Sequence, residues 1–145
     1  MKKFEFSLQS VLNLKDQEEQ MIQKELARLK AKYQEVKEEL DYVRERKGNW
    51  TKRLEQESKE GVELATFRKY KKYIEHLDDK IEELKLRLNH WAEKVNECQK
   101  ELLEKVKERK SLSKLKERRY EEYWQKFLRE EQKLNDELAI NNFNQ

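Results

Sequence analysis

Proline is absent from this chain of 145 residues, and only two glycines and one cysteine occur. Without proline, nothing in the chain forces a break in a long helix. A single cysteine excludes an intramolecular disulfide and is typical of a reducing compartment. The chain also lacks an apolar run of the roughly 18–20 residues that span a bilayer, and we expect no signal peptide. The sequence therefore predicts a cytoplasmic protein that does not insert into a membrane.

Residues that carry enzymatic or metal chemistry are also scarce. The two histidines, His76 and His90, would lie about 21 Å apart along a helix, so they cannot share a metal ion. Cys98 has no second thiol to accompany it, and no glycine-rich loop is present to cradle a phosphate group. We therefore expect no catalytic activity, no cofactor and no metal site.

Charged side chains are abundant instead and make up 45% of the residues. The 34 basic and 31 acidic side chains nearly cancel, whereas a dedicated nucleic-acid binder has a predominantly basic face. The stretch from Arg68 to Tyr73 interleaves basic and aromatic residues, but Tyr70 belongs to the apolar stripe described next, so we expect no nucleic acid as a partner. The hydrophobic fraction of 35% is thin for a globular core but suffices for a narrow stripe.

Two apolar stripes organise the chain. In each, the members are separated alternately by three and four residues, which is the a/d spacing of a heptad repeat on an α-helix. The downstream stripe is Phe67, Tyr70, Ile74, Leu77, Ile81, Leu84, Leu88, Trp91, Val95, Cys98 and Leu102. The upstream stripe is Ile22, Leu26, Leu29, Tyr33, Val36, Leu40, Val43, Lys47, Trp50 and Leu54. A disordered chain has no reason to keep such a phase.

Two stripes in one chain predict a helical hairpin that closes on itself and needs no second copy. We therefore predict an all-α fold, a long antiparallel two-stranded coiled-coil hairpin with a longer C-terminal helix. It should form a single domain over residues 1–145 and be a monomer on its own. Because the upstream stripe keeps its phase across Gly48, the first helix should continue through that residue.

The ends of the two helices follow from the same pattern. Helix one is expected at about residues 8–58, the tip at about 59–66 and helix two at about 66–140. Gly61 suits the left-handed position that follows a helix end. The second helix either is capped by Thr66 or begins a few residues earlier, with Leu64 and Ala65 already helical.

The longer second helix leaves the C-terminal third of the chain with little to pack against. Residue 11 should lie opposite about residue 111, and the basic residues Lys105, Arg109 and Lys116 occupy expected stripe positions in this region. Apolar residues then return at Tyr120, Tyr123, Phe127, Leu134 and Leu138. A stripe without a helix opposite it predicts a docking surface.

Several other side chains are left at the surface by this arrangement. Phe4 and Phe6 have little of their own chain to cover them, so they are either a frayed helix start or a partner contact. The eight basic residues from Lys105 to Arg119 form either a solvated face or a surface for an acidic partner. Tyr73 lies beside the stripe, and Leu86 lies at the heptad position that faces most directly away from it. Exposed apolar side chains on an otherwise charged helix are typical of a contact site.

Three parts of the chain resemble the FliJ family of the bacterial flagellar export apparatus. They are Phe4–Leu12, Tyr70–Leu77 with Ile81 and Trp91, and Glu108–Tyr120 followed by Glu131–Ala139. The last part is the most specific, because most of its polar residues are not dictated by the heptad. The resemblance covers the chain from end to end.

This resemblance implies a non-enzymatic component of flagellar protein export, similar to the central stalk of rotary ATPases and required for motility. The implied partners are the export ATPase ring, which is FliI-like, the membrane export gate, which is FlhA-like, and other export chaperones. The implied location is the cytoplasm, at the inner face of the cell membrane, where the export apparatus holds the protein. An export chaperone or a coiled-coil scaffold is the alternative.

The resemblance also assigns residues to the two contacts. The gate contact falls on Tyr73 and Leu77, with Val43 and Trp50 on the facing helix, whereas the family's small residue one turn after Leu77 is Lys80 here. The residues expected at the ATPase-facing end, near the two termini, are Phe4, Phe6, Leu8, Tyr120, Tyr123, Trp124 and Phe127.

Overall fold

The protein consists of two long α-helices and no strand within residues 2–144, which are the residues that the structure, a computed structural model, describes. Helix α1 comprises Gln9–Glu60 and helix α2 comprises Leu64–Asn144. The helices pack against each other and α2 is the longer, so the predicted all-α hairpin is confirmed. Within the described residues, no helix is both long and apolar enough to cross a membrane.

The tip between the helices is shorter than the predicted one at 59–66, because only three residues separate α1 from α2. Gly61 follows α1 with a φ of 96°, as predicted, since glycine has no Cβ to clash in this left-handed conformation. The amide of Phe67 already donates to the carbonyl oxygen of Glu63 at 2.9 Å. Thr66 therefore lies inside α2 and does not cap it, and the alternative in which Leu64 and Ala65 are helical is the one that the structure shows.

The contacts divide the chain into two compact units, each made of one part of α1 and one part of α2. The hairpin unit comprises residues 23–100, and the terminal unit comprises the residues up to Ile22 together with those from Glu101 onward. In the hairpin unit, α1 runs through Gly48 without a break, as predicted.

The hairpin unit has an apolar core drawn from both stripes. The core residues are Leu40, Val43, Leu77, Ile81 and Leu84, with Val36, Trp50, Tyr73 and Leu88 packed against them. Leu40 and Leu84 are almost fully buried, at 2% and 0% exposure. Burial of such a side chain contributes roughly 1.5–3 kcal/mol before the loss of conformational entropy is counted. Lys47, the one charged member of the upstream stripe, pairs with Asp78.

In the terminal unit, charged side chains from the two helices meet where the stripe would require apolar ones. The pairs are Lys15 with Glu108 at 2.9 Å, Lys105 with Glu18 at 3.2 Å, and Arg109 with Glu19. Glu19 is the one charged residue among residues 2–144 that is buried. Lys105 and Arg109 can occupy stripe positions that are usually apolar because acidic residues of α1 lie opposite them.

Candidate protein-binding surfaces

The residues before α1, residues 2–8, form an arm outside the helices that lies against α2. The arm leads into the helix through a hydrogen bond from the amide of Gln9 to the carbonyl of Phe6 at 3.0 Å. The Phe6 side chain is buried, at 9% exposure. The expectation that Phe6 has little of its own chain to cover it is therefore wrong.

Phe4 packs against two tyrosines of α2. Its ring lies edge-on to Tyr120, with the centroids 5.2 Å apart, and is tilted against Tyr123 at 5.5 Å. The Tyr123 hydroxyl donates a hydrogen bond of 2.7 Å to the backbone carbonyl of Lys2. The structure thus brings Phe4, Tyr120 and Tyr123 together and gives the arm a fixed path.

The remaining predicted residues of this surface lie at its exposed edge. Trp124 and Phe127 stack on each other at 5.4 Å with their planes 16° apart. Trp124 keeps 42% of its surface exposed, Tyr120 49% and Leu8 37%. These four residues, together with Phe4 and Tyr123, form what we call the terminal aromatic surface. Phe6, which was predicted for the same surface, is buried and therefore not accessible to a partner.

Beyond Phe127, every described residue of α2 is exposed. The prediction that the C-terminal third of the chain has little to pack against is confirmed for the described residues after Phe127. The exposed apolar residues are Leu128, Leu134, Leu138, Ile140 and Phe143. Of these, the heptad pattern predicted Leu134 and Leu138 and missed the others, which lie outside its phase.

A second aromatic group lies in the hairpin unit, and we call it the aromatic–arginine cluster. Trp50 is in edge-on contact with Tyr70 at 5.4 Å and with Tyr73 at 5.2 Å. Arg46 Nε donates to the Tyr73 hydroxyl at 2.8 Å, and the Arg53 guanidinium lies 5.2 Å from the Trp50 ring centroid. The hydrogen bond to Tyr73 also raises the pKa of Arg46 above its ordinary value. Tryptophan, tyrosine and arginine are the residue types that dominate binding energy at protein interfaces.

Sequence reasoning missed the two arginines of this cluster. The signal is present, because Arg46, Trp50 and Arg53 are separated by four and three residues and therefore share one face of α1. Since each arginine lies over an aromatic ring, the cluster combines charge with apolar area at one place.

The four residues predicted for the gate contact do not form one accessible surface. Val43 and Leu77 are core residues, at 5% and 6% exposure, whereas Tyr73 and Trp50 are half-buried. The expectation that all four contact a partner is corrected on this point, because burial leaves only Tyr73 and Trp50 within reach. Val43 and Leu77 instead belong to the core cluster against which the Trp50 and Tyr73 rings pack.

The ion pairs of the terminal unit alter the ionisation of their members. The hydrogen bond from Lys15 holds the pKa of the Glu108 carboxyl group below its usual range. The same bond raises the pKa of Lys15. Both groups are therefore charged at neutral pH and hold α1 to α2.

Other features of residues 2–144 add no chemical site. Leu86 is 72% exposed, as predicted. No three His, Cys, Asp or Glu side chains of the described residues lie close enough to hold a metal ion. The chemistry on these surfaces is that of protein recognition, through aromatic rings, arginines and exposed apolar side chains.

Comparison with known proteins gives one match. A family model described as the flagellar FliJ protein matches residues 4–145, which is nearly the whole chain. No curated protein and no solved structure matches the chain.

Proposed function

The chain belongs to the flagellar FliJ protein family and is a component of the flagellar protein export apparatus. From this premise we propose that the protein binds the export ATPase through its terminal unit, promotes the assembly and activity of the ATPase, and couples it to the membrane export gate. The protein acts without catalytic chemistry of its own, in the cytoplasm at the inner face of the membrane. The ATPase is FliI-like and the gate is FlhA-like.

The observation that carries this proposal is the terminal aromatic surface. Its edge exposes Trp124, Tyr120 and Leu8 on a protein whose surface is otherwise densely charged. Exposed aromatic side chains of this kind mark sites of protein contact. The arm supports the proposal as well, because Phe4 and the Lys2 carbonyl hold Tyr120 and Tyr123 in place before a partner binds.

The gate contact is assigned to the aromatic–arginine cluster of the hairpin unit. Tyr73 and Trp50 supply the accessible rings, and Arg46 and Arg53 supply charge around them. The buried Val43 and Leu77 position the rings rather than touch the gate. Because the two surfaces lie in different units, a substitution in one of them should weaken one contact and leave the other unchanged.

Removal of Trp124 and Phe127 tests the ATPase contact. These rings stack mainly on each other, so the Trp124→Ala/Phe127→Ala variant should keep its helicity. Loss of this stacked aromatic pair should raise the dissociation constant for the cognate ATPase at least about tenfold in calorimetric titration. The matched control is Leu86→Ala, which removes an exposed apolar side chain from the hairpin unit and should leave the affinity unchanged. An unchanged affinity in the double variant would remove the terminal aromatic surface from the ATPase contact.

The exposed apolar residues after Phe127 favour an export chaperone as the second candidate. Leu134, Leu138 and Phe143 are 52–90% exposed and could hold an unfolded export substrate. In that case the protein should bind unfolded filament subunits more tightly than the ATPase, and alanine at these three positions should abolish that binding. A dimerising coiled-coil scaffold would instead show a doubled mass by light scattering.

A further inference from the structure

The outer face of α2 in the terminal unit carries four exposed basic residues in line: Lys107, Lys110, Lys114 and Arg118. Their separations of three, four and four residues put them on one face of the helix, over a length of roughly 16 Å. We call them the basic row. They account for half of the eight basic residues between Lys105 and Arg119, and the family resemblance gives them no role.

None of the four side chains forms an ion pair within residues 2–144. The basic residues of the same stretch that do pair across to α1 are Lys105 and Arg109, which meet Glu18 and Glu19 there. The positive charge of the basic row is therefore not neutralised by the chain itself.

The basic row differs from the stretches of helix that are held by local ion pairs. Seven ion pairs join residues three or four apart on the same helix, such as Glu25 with Arg28 and Glu83 with Arg87. Consecutive members of the basic row are like charges at this spacing, which destabilise a helix, and the nearby Glu104 and Glu117 form no ion pair with them. Like charges on one exposed helix face without a compensating ion pair are expected at a functional surface.

The chemistry of the row favours a broad anionic surface over a shaped binding site. Three of its four members are lysines, which are compact point charges without the planar fork that arginine offers to a single carboxylate or phosphate. No aromatic residue lies among them, so the row has no platform for stacking the bases of a single-stranded nucleic acid. Leu103, one turn before Lys107 and 56% exposed, adds an apolar side chain at one end of the row.

We propose that the basic row binds the anionic headgroups of a phospholipid bilayer. Lysines and arginines clustered on one helix face are attracted to anionic lipid, and each contributes about fivefold to the affinity. The contact is electrostatic and lies at the level of the headgroups. It is independent of the proposed ATPase and gate contacts, since it uses other residues and another class of partner.

Vesicle sedimentation with the full chain tests this proposal. The protein should bind vesicles rich in phosphatidylglycerol, should not bind pure phosphatidylcholine vesicles, and should be released as salt screens the charges. The Lys107→Gln/Lys110→Gln/Lys114→Gln/Arg118→Gln variant should bind at least about tenfold more weakly. Circular dichroism should show full helicity, because these substitutions remove like-charge neighbours.

The matched control removes the same number of charges from exposed and unpaired positions spread along α1. It carries Gln in place of Lys24, Lys30, Lys37 and Lys52, and it should bind the anionic vesicles within about twofold of the unmodified chain because its basic row is intact. No binding to anionic vesicles, or an equal loss in both variants, would overturn the proposal. A competition experiment could also overturn it. If duplex RNA or polyglutamate released the protein from the vesicles at a concentration of negative charge below that of the anionic lipid, the basic row would prefer another class of partner.

Discussion

Glu19 is buried, unlike every other charged residue between Lys2 and Asn144. It is 8% exposed and pairs with Arg109, and removal of a carboxylate from water is unfavourable unless a partner compensates. Two more pairs flank it, those of Lys15 with Glu108 and of Lys105 with Glu18. The contact between the helices of the terminal unit therefore depends on charge, and it should respond to pH where the core of the hairpin unit does not.

Substitution of Glu108 tests this dependence. Because its pKa is lowered in the folded state, its stabilising effect is present above the usual carboxyl pKa and is lost as the pH falls through the lowered value. The Glu108→Gln variant should melt at a lower temperature than the unmodified chain at neutral pH and at the same temperature in strong acid. Glu104→Gln, at an exposed position without an ion pair, is the control. A difference that persists unchanged into strong acid would contradict the role of this carboxylate.

Tyr73 is the residue on which the proposed gate contact depends. Tyr73→Ala removes a ring that packs on Trp50 and accepts from Arg46, so affinity for the isolated gate protein should fall at least about tenfold. Tyr42→Ala is the matched control, since Tyr42 is exposed and accepts from the same arginine at 3.1 Å. Binding of the ATPase should be unaffected by both substitutions. If Tyr73→Ala weakened both partners equally, the two contacts would not be separate.

At the scale of the helices, the two glycines have opposite roles. Gly48 lies within α1, and an added Cβ would meet nothing within 4 Å, whereas Gly61 has a φ of 96° that other residues rarely adopt. Gly48→Ala should therefore stabilise the chain by about 0.5–1 kcal/mol through helix propensity. Gly61→Ala should destabilise it by about 1–2 kcal/mol.

Urea unfolding followed by circular dichroism measures both changes. Each variant serves as the control for the other, because the same atoms are added in both. If both substitutions changed the free energy of unfolding by the same amount in the same direction, the positive φ of Gly61 would not disfavour alanine at the tip.

Both helices and their antiparallel pairing could be predicted from sequence, because the phase of an apolar stripe is a local property. The helix ends were less predictable. Leu64 and Ala65 are strong helix formers, so α2 begins two residues before Thr66, the expected cap. The path of the arm could not be predicted, since the short alternation of Phe4, Phe6 and Leu8 with polar residues specifies no contact and the hydrogen bond from Tyr123 to Lys2 joins residues 121 apart.

The candidate surfaces were predictable to the extent that they follow the heptad. Tyr73 was placed correctly at the edge of the stripe, where it is half-buried. The burial of Val43 and Leu77 follows from the stripe itself, whereas the family resemblance assigned them to a contact. The burial of Phe6 could not be predicted, because this residue lies before α1 and outside both stripes.

The whole molecule combines two units of different chemistry. The hairpin unit has an apolar core centred on Leu40 and Leu84, while the terminal unit is held by ion pairs and by the aromatic contacts of Phe4. A unit with few buried apolar side chains opens locally at lower free energy. The unit proposed to bind the ATPase is therefore also the one expected to adapt to a partner.

Steady-state ATP hydrolysis by the cognate export ATPase, with ring assembly followed by light scattering in the same samples, tests the central claim most directly. The unmodified chain and Leu86→Ala should both stimulate hydrolysis and assembly, and Trp124→Ala/Phe127→Ala should stimulate neither at the same concentration. An unmodified chain that is fully helical by circular dichroism yet leaves hydrolysis and assembly unchanged would contradict the account.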